Sequence, residues 1–267
     1  MNRIQRKKSH SRSTYSWSGS LFLWRDQSLY LGAASDSTPH ATHDVTVCVA
    51  LHGSFRLGTC AGRREFRAAI IPPDLPHIYD GRGAQIALFY FPSEALRSRR
   101  LLCRGAEPSD VPDKIRSRFL PRLHHYLDGG CEASEATELC QDFVRDLASS
   151  DLPRLPLDSR IAHALEYFQS DPTHRFTAAE ISSEVALSQG RFAHLFREQM
   201  GLPVRRYLLE LRLRRALLEV AAGNSLTTSA HAAGFADSAH LSRTFRRMTG
   251  IAPSSLLKHS RVIPAAK

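Results

Sequence analysis

The chain has 267 residues, 42% of them hydrophobic, which is enough for two domains of ordinary size with buried cores. Lysine and arginine outnumber aspartate and glutamate 36 to 26, a formal charge of +10, and no apolar run reaches membrane-spanning length. These figures point away from a membrane partner and towards a polyanion, most often nucleic acid. The five cysteines (Cys48, Cys60, Cys103, Cys131 and Cys140) are scattered, with no Cys-x-x-Cys pair. That argues against a disulfide framework or zinc finger and suggests a reduced, cytoplasmic chain.

Residues 1–18 are basic and polar, lack the apolar stretch of a signal peptide, and read as a disordered tail. Residues 19–92 carry short β-branched and aromatic segments, among them SLYLGAA, VTVCVALHG, SFRLGTC, FRAAIIPP and AQIALFYFP, separated by Gly, Pro or Asp. That spacing suggests a small sandwich or barrel. Residues 93–152 turn helical. The segment from Val111 to Asp128 has helical period, with a break or kink expected at Pro121. In EASEATELCQDFVRDLASS, the residues Leu139, Phe143 and Leu147 belong to one apolar stripe. The stripe has two readings: packing on the β domain, or pairing two chains in a homodimer.

A domain boundary is expected near Pro153 to Pro156, with helices over 153–257 and a tail over 258–267. Asp158 is placed to cap the first helix, and Thr177 with Glu180 forms a capping box. A long helix runs from Pro203 to about Ala222, where Gly223 and Asn224 stop it. SQGRFAHLFREQMGLP and DSAHLSRTFRRMTGIAP then repeat one plan: Ser188 answers Asp237, Phe192 answers Leu241, Phe196 answers Phe245, and Gly201 answers Gly250, at a constant offset of 49. A short helix and a tight turn precede each, offset by 48. Helix, tight turn, helix is the DNA-binding helix-turn-helix plan, here used twice. A joining helix of about 30 Å would set the two second helices near the roughly 34 Å spacing of successive major grooves.

Residues 161–256 resemble the AraC/XylS family of bacterial transcription regulators. The resemblance rests on Gly234-Phe235, Asp237, Leu241, Ser242-Arg243, Phe245, Arg246 and Pro253, with Ser188, Phe192, Phe196, Gly201, Tyr207, Arg212 and Ala216 before them. It implies an α+β protein: an N-terminal cupin-like β-barrel or sandwich, a helical connector, and a C-terminal all-α domain with two helix-turn-helix units. It also implies a sequence-specific regulator of double-stranded DNA, answering a small-molecule effector, with RNA polymerase as partner if it activates. In the first recognition helix Gln189, Arg191, His194 and Arg197 fall on the outer face; in the second, Ser238, Ser242, Arg243, Arg246 and Arg247 do. His194 is the positional twin of Arg243. Gly190 and Ala193 stand where the family commonly has larger base-reading side chains.

The β segment carries a second signal. His40 and His43 precede one strand, and Pro72-x-Asp74-x-x-His77 approximates the cupin Pro-x-Gly-x-x-His run. The spacing of the pair is one residue too long, and no glutamate follows at the expected distance. Histidines lining a polar pocket, where an effector could bind, or facing solvent are the leading reading, with no cofactor. The rival is a cupin-type metal-dependent enzyme that uses His40, His43 and His77 as ligands.

Overall fold

The computed structural model describes residues 16–95, 106–148, 156–171, 174 and 176–265. The basic N-terminal tail, apart from its last residues, and most of the expected domain boundary lie outside these. Among the described residues nine strands come first: β1 (Ser18–Leu23), β2 (Ser28–Ala33), β3 (Val45–Ala50), β4 (Phe55–Thr59), β5 (Gly62–Phe66), β6 (Ala68–Ile71), β7 (Ile78–Asp80), β8 (Gln85–Phe91) and β9 (Ser109–Asp110). Helices α1 (Asp113–Gly129) and α2 (Ala133–Leu147) follow. Seven more helices come after them: α3 (Ser159–Ser170), α4 (Ala178–Glu184), α5 (Gln189–Met200), α6 (Val204–Ala221), α7 (Leu226–Ala232), α8 (Ser238–Thr249) and α9 (Pro253–Leu257). A last strand, β10 (Ser260–Pro264), ends the described chain.

The strands make a seven-stranded sheet in the order β10-β1-β2-β8-β3-β6-β9 and a three-stranded sheet β5-β4-β7. Both faces of the larger sheet are buried, so alternate residues serve different cores. Phe22, Leu29, Val47, Ile70 and Phe89 face α1 and α2. Leu21, Tyr30, Cys48, Ile71 and Leu88 face the other way, with Phe55, Leu57 and Phe66 of the small sheet. This is the expected sandwich-like β domain followed by an α-helical domain.

Three expectations change. Pro121 does not break its helix: α1 runs through it, with the proline on the exposed face. One ladder hydrogen bond is lost there, and the ion pairs Arg118–Asp146 (2.7 Å) and Arg122–Asp142 (3.0 Å) hold α1 against α2 across the site. The stripe of α2 is not a dimer seam: Leu139, Phe143 and Leu147 are each fully buried, with Phe143 4.3 Å from Phe89 and 4.9 Å from Phe119 between ring centroids. Its apolar area is spent inside the monomer. Finally, residues 260–264 are no tail. They pair in parallel with β1, Gly19 to Ser260 through Leu23 to Pro264, at the edge of the N-terminal sheet.

Candidate nucleic-acid interface and effector cavity

Each helix-turn-helix unit is fixed by local chemistry. Thr177 and Glu180 form the expected capping box on α4. The Ser188 side chain accepts from the Arg191 amide at the start of α5, Ser225 accepts from Thr228 at α7, and Asp237 accepts from His240 at α8. The tight turns differ by one residue type. Gly234 takes φ +77° in the second unit, whereas Ala186 at the matching place of the first is held at φ +52°. Both recognition helices end on a left-handed glycine, Gly201 and Gly250.

Packing turns the basic faces outward. On α5, Phe192, Leu195, Phe196 and Met200 are buried while Gln189, Arg191, His194 and Arg197 are exposed. On α8, Leu241, Thr244, Phe245 and Met248 are buried; Arg243, Arg246 and Arg247 are exposed, with Ser238 and Ser242 half-buried beside them. Among the described residues none of the five guanidinium groups at Arg191, Arg197, Arg243, Arg246 and Arg247 donates a hydrogen bond to the protein. Gly190 and Ala193 are exposed and present almost no side chain, so the first helix offers a shallower surface than the second. The joining helix α6 has 18 residues, about 27 Å at the usual rise.

Helix α6 also carries a feature that the sequence reading missed. Arg206, Glu210 and Arg214 recur every four residues, one polar stripe aimed at the β domain. Arg214 donates from Nη2 to both oxygens of Asp44 and from Nη1 to the Asp26 carbonyl. Arg206 lies 2.9 Å from Asp74 and donates to the Ala41 carbonyl at 3.1 Å. Tyr207 donates to Glu94 at 3.1 Å. The four-residue spacing is the signal that marks it, on a helix whose other named residues, Tyr207, Arg212 and Ala216, carry the family resemblance.

Between α6, α8 and the sheet lies a cavity. Its walls include Trp24, Leu88, Leu213, Leu217, Phe245 and Met248, and its polar end holds His43, Asp44, Glu210 and Arg214. Burial works against a charge on His43, but Asp74, Glu210 and Glu94 together raise its pKa above the usual histidine value. Burial pushes the Glu210 carboxyl up to about 8, with His43 as the largest opposing influence.

The three histidines do not converge. His40 and His77 form an isolated antiparallel bridge with ring centroids 4.3 Å apart; their Nδ1 atoms sit 2.9 Å from the carbonyls of Thr38 and Leu75. Burial, then the neighbouring His77, holds His40 down to about 4. His43 is engaged elsewhere, Nδ1 on Asp74 (3.1 Å) and Nε2 on Ser93 (2.6 Å). No group of three His, Cys, Asp or Glu that could hold a metal ion occurs among the described residues. His43 lines the cavity between the domains, whereas His40 and His77 line a smaller space beside Thr249 of α8.

Comparison with known proteins agrees with this geometry. Residues 181–259 match the family model described as a helix-turn-helix domain. The arabinose operon regulatory proteins of Salmonella typhimurium and Escherichia coli are 33% and 32% identical over 101 residues, 37% of this chain and 36% and 35% of theirs. The chain thus matches about a third of the length of these curated relatives. The crystal structure of ToxT from Vibrio cholerae aligns over 88% of this chain and 98% of its own, at TM-score 0.58 and 13% identity. A ToxT structure bound to an unsaturated fatty acid aligns over 88% and 95%, at TM-score 0.55 and 12% identity. At such identities these two show a shared two-domain fold. Among the described residues no helix is long and apolar enough to cross a membrane.

Proposed function

We infer that this chain, whose C-terminal helices form a helix-turn-helix domain of the AraC type, is a transcription regulator that binds double-stranded DNA with α5 and α8. The observation that carries this reading is the pair of recognition helices with unspent arginines outward, set apart by a helix of near groove-to-groove length. Arg243 reads a base, Arg246 and Arg247 hold phosphates, and Arg191, His194 and Arg197 serve the neighbouring groove. The β domain acts as the sensor, and the cavity shared by the sheet, α6 and α8 is the effector pocket. Occupancy there touches Phe245 and Met248, the inner face of the helix whose outer face carries Arg243, so ligand and DNA compete for or reinforce one helix position.

On this reading the protein works in the cytoplasm, without a metal and without catalysis; the hydrogen bonds of His43 and the distance of its role from the His40–His77 pair favour that over the metal-enzyme reading. An activator would add RNA polymerase as a partner. Pairing of two chains would double the DNA contacts, and needs a surface other than the Leu139, Phe143 and Leu147 stripe. Genome-wide selection of bound fragments, followed by retardation of the recovered site against competitor DNA, tests the proposal. Specific, salt-sensitive retention of one site is expected. Retention equal for all sequences would overturn it.

A further inference from the structure

The polar end of the interdomain cavity is unequally satisfied. His43 uses both ring nitrogens, on Asp74 and Ser93, and Arg214 spends its donors on Asp44 and the Asp26 carbonyl. Glu210 differs. Its Oε1 is sealed from solvent, accepts no hydrogen bond, and lies 3.7 Å from Arg206 Nε. A buried oxygen left unpaired is costly, and the chemistry that satisfies it is a donor. Trp17 Nε1 is also buried without a partner, but Trp17 borders the neighbouring cavities as well and does not discriminate.

Charge points the same way. Asp44 and Glu210 line this end with His43 and Arg214, and Asp74, Glu94 and Arg206 stand behind them. A carboxylate ligand would add another acid to this cluster, whereas an ammonium lets Glu210 ionise without a change of net charge. Most of the remaining wall is apolar, with Gln27, Ser28, Thr42 and Thr249 as polar interruptions, and the cavity holds about 130 Å³. That is near the ~150 Å³ of an apolar cavity known to take benzene.

We propose that this cavity binds a small primary amine on an apolar or aromatic body, its ammonium hydrogen-bonded to Glu210 and its body packed on Leu213, Leu217 and Phe245. The inference rests on the reading of the cavity as the effector pocket. Because burial lifts the Glu210 carboxyl to about 8, an ammonium docking near neutral pH makes an ion pair and sends the carboxyl proton to solvent. The groups facing Glu210 in that exchange are His43, Asp44, Arg206 and Arg214.

The test uses the full chain and three probes with one ring: 2-phenylethylamine, 2-phenylethanol and 3-phenylpropionate, titrated by calorimetry. The amine should bind at least tenfold tighter than the alcohol or the acid, with proton release that depends on buffer ionisation enthalpy. Glu210→Gln keeps the shape of the neutral acid and should cost the amine at least tenfold while leaving the alcohol unchanged. Leu217→Trp, which fills the cavity, should abolish amine binding. Tighter binding of the acid, an amine indifferent to Glu210→Gln, or no binding by any probe each overturns the proposal. DNA retardation of the same preparation separates the two levels. Specific retardation without amine binding sinks only the ligand class, and amine binding without specific retardation sinks the regulator reading alone.

Discussion

In the first helix-turn-helix unit, Phe192 and Phe196 of α5 close a core with Ile161, Leu165, Phe168 and Tyr207, residues that all belong to the helical domain. In the second, Leu241 and Phe245 of α8 share one continuous core with Leu21, Leu57, Ile71 and Leu88 of the two sheets. The seams to the β domain differ accordingly. The first unit meets it through polar contacts: Arg25 to the Gln169 carbonyl, and Tyr207 to Glu94. The second meets it through apolar packing and close backbone approach. At Gly250 an added Cβ would lie 2.6 Å from the Thr38 carbonyl oxygen and 2.6 Å from His40 Nδ1, while at its twin Gly201 the nearest atom, on Asp74, is 3.8 Å away. Strand β10 then fastens the end of the chain to β1. Duplicated sequence therefore does not mean duplicated mechanics: one unit closes a core of its own, and the other shares its core with the β domain.

The largest test removes that support. Phe143→Glu with Leu147→Glu buries two carboxylates in the core that backs the sheet, a change of several kcal/mol that the β domain should not survive. Native-state hydrogen exchange is expected to show α8 losing protection along with the sheet while α5 keeps it. Equal loss in both recognition helices, or a folded chain of altered assembly state, would erase the distinction.

A smaller break acts on the polar stripe alone. Arg214→Met strands Asp44 without its cation, and removing one member of a buried pair typically costs about 3–5 kcal/mol. The low end applies here, since Arg214 and Asp44 keep 21% and 17% of their side-chain exposure. Arg206→Met should cost less, because Arg206 is 38% exposed and its ion pair with Asp74 is partly screened by solvent. Denaturant titration of both variants checks the order; a reversed order would mean that Arg206, nearer the first unit, carries the coupling.

The α-helical domain was legible in the sequence because its signals are local. Caps at Thr177, Ser188 and Asp237 and stripes such as Leu241, Phe245 and Met248 need only a dozen residues to declare themselves. The missed elements depend on partners far along the chain. SRVIP carries a proline and no alternation, and becomes β10 only because the edge of β1, some 240 residues earlier, is open to it. GRREF, mostly charged and outside the strand-like segments named from the sequence except for Phe66, becomes β5 by pairing with β4. The stripe of α2 was visible, but periodicity says that a face is buried without saying against what. Arg206, Glu210 and Arg214 were hidden for the opposite reason: charged residues on a helix ordinarily face water, and only the pairing of Arg206 with Asp74 and of Arg214 with Asp44 turns this stripe towards the opposed domain.

On DNA the comparison predicts unequal reading. Arg243→Ala should lower specific affinity by about 1–3 kcal/mol and relax preference at one or two base pairs, as loss of a bidentate base contact does. His194→Ala, at the twin position beside Gly190 and Ala193, should do less. Quantitative retardation over a set of single-base operator variants measures both. A uniform loss over all variants would move Arg243 to the phosphates, and equal sensitivity of the two half-sites would remove the asymmetry.

The smallest effect lies in the two turns. Gly234 sits at φ +77° with no side chain to resent it, while Ala186 holds the matching turn at φ +52°. The left-handed region costs a residue with a Cβ about 1–2 kcal/mol, and a glycine gives back part of that gain through the greater freedom of its unfolded chain. Ala186→Gly should therefore stabilise the chain by about 0.5–1 kcal/mol, and Gly234→Ala should destabilise it by a similar or larger amount. Ala186 is exposed, so no packing loss enters the balance. Because the first unit has its own core, the gain from Ala186→Gly should appear only in the unfolding step that exposes α4 and α5, followed by hydrogen exchange at those helices. The loss from Gly234→Ala should instead spread to the β strands that share the second unit's core. Confinement of both effects to their own helices would show that the second unit, too, can stand without the sheet.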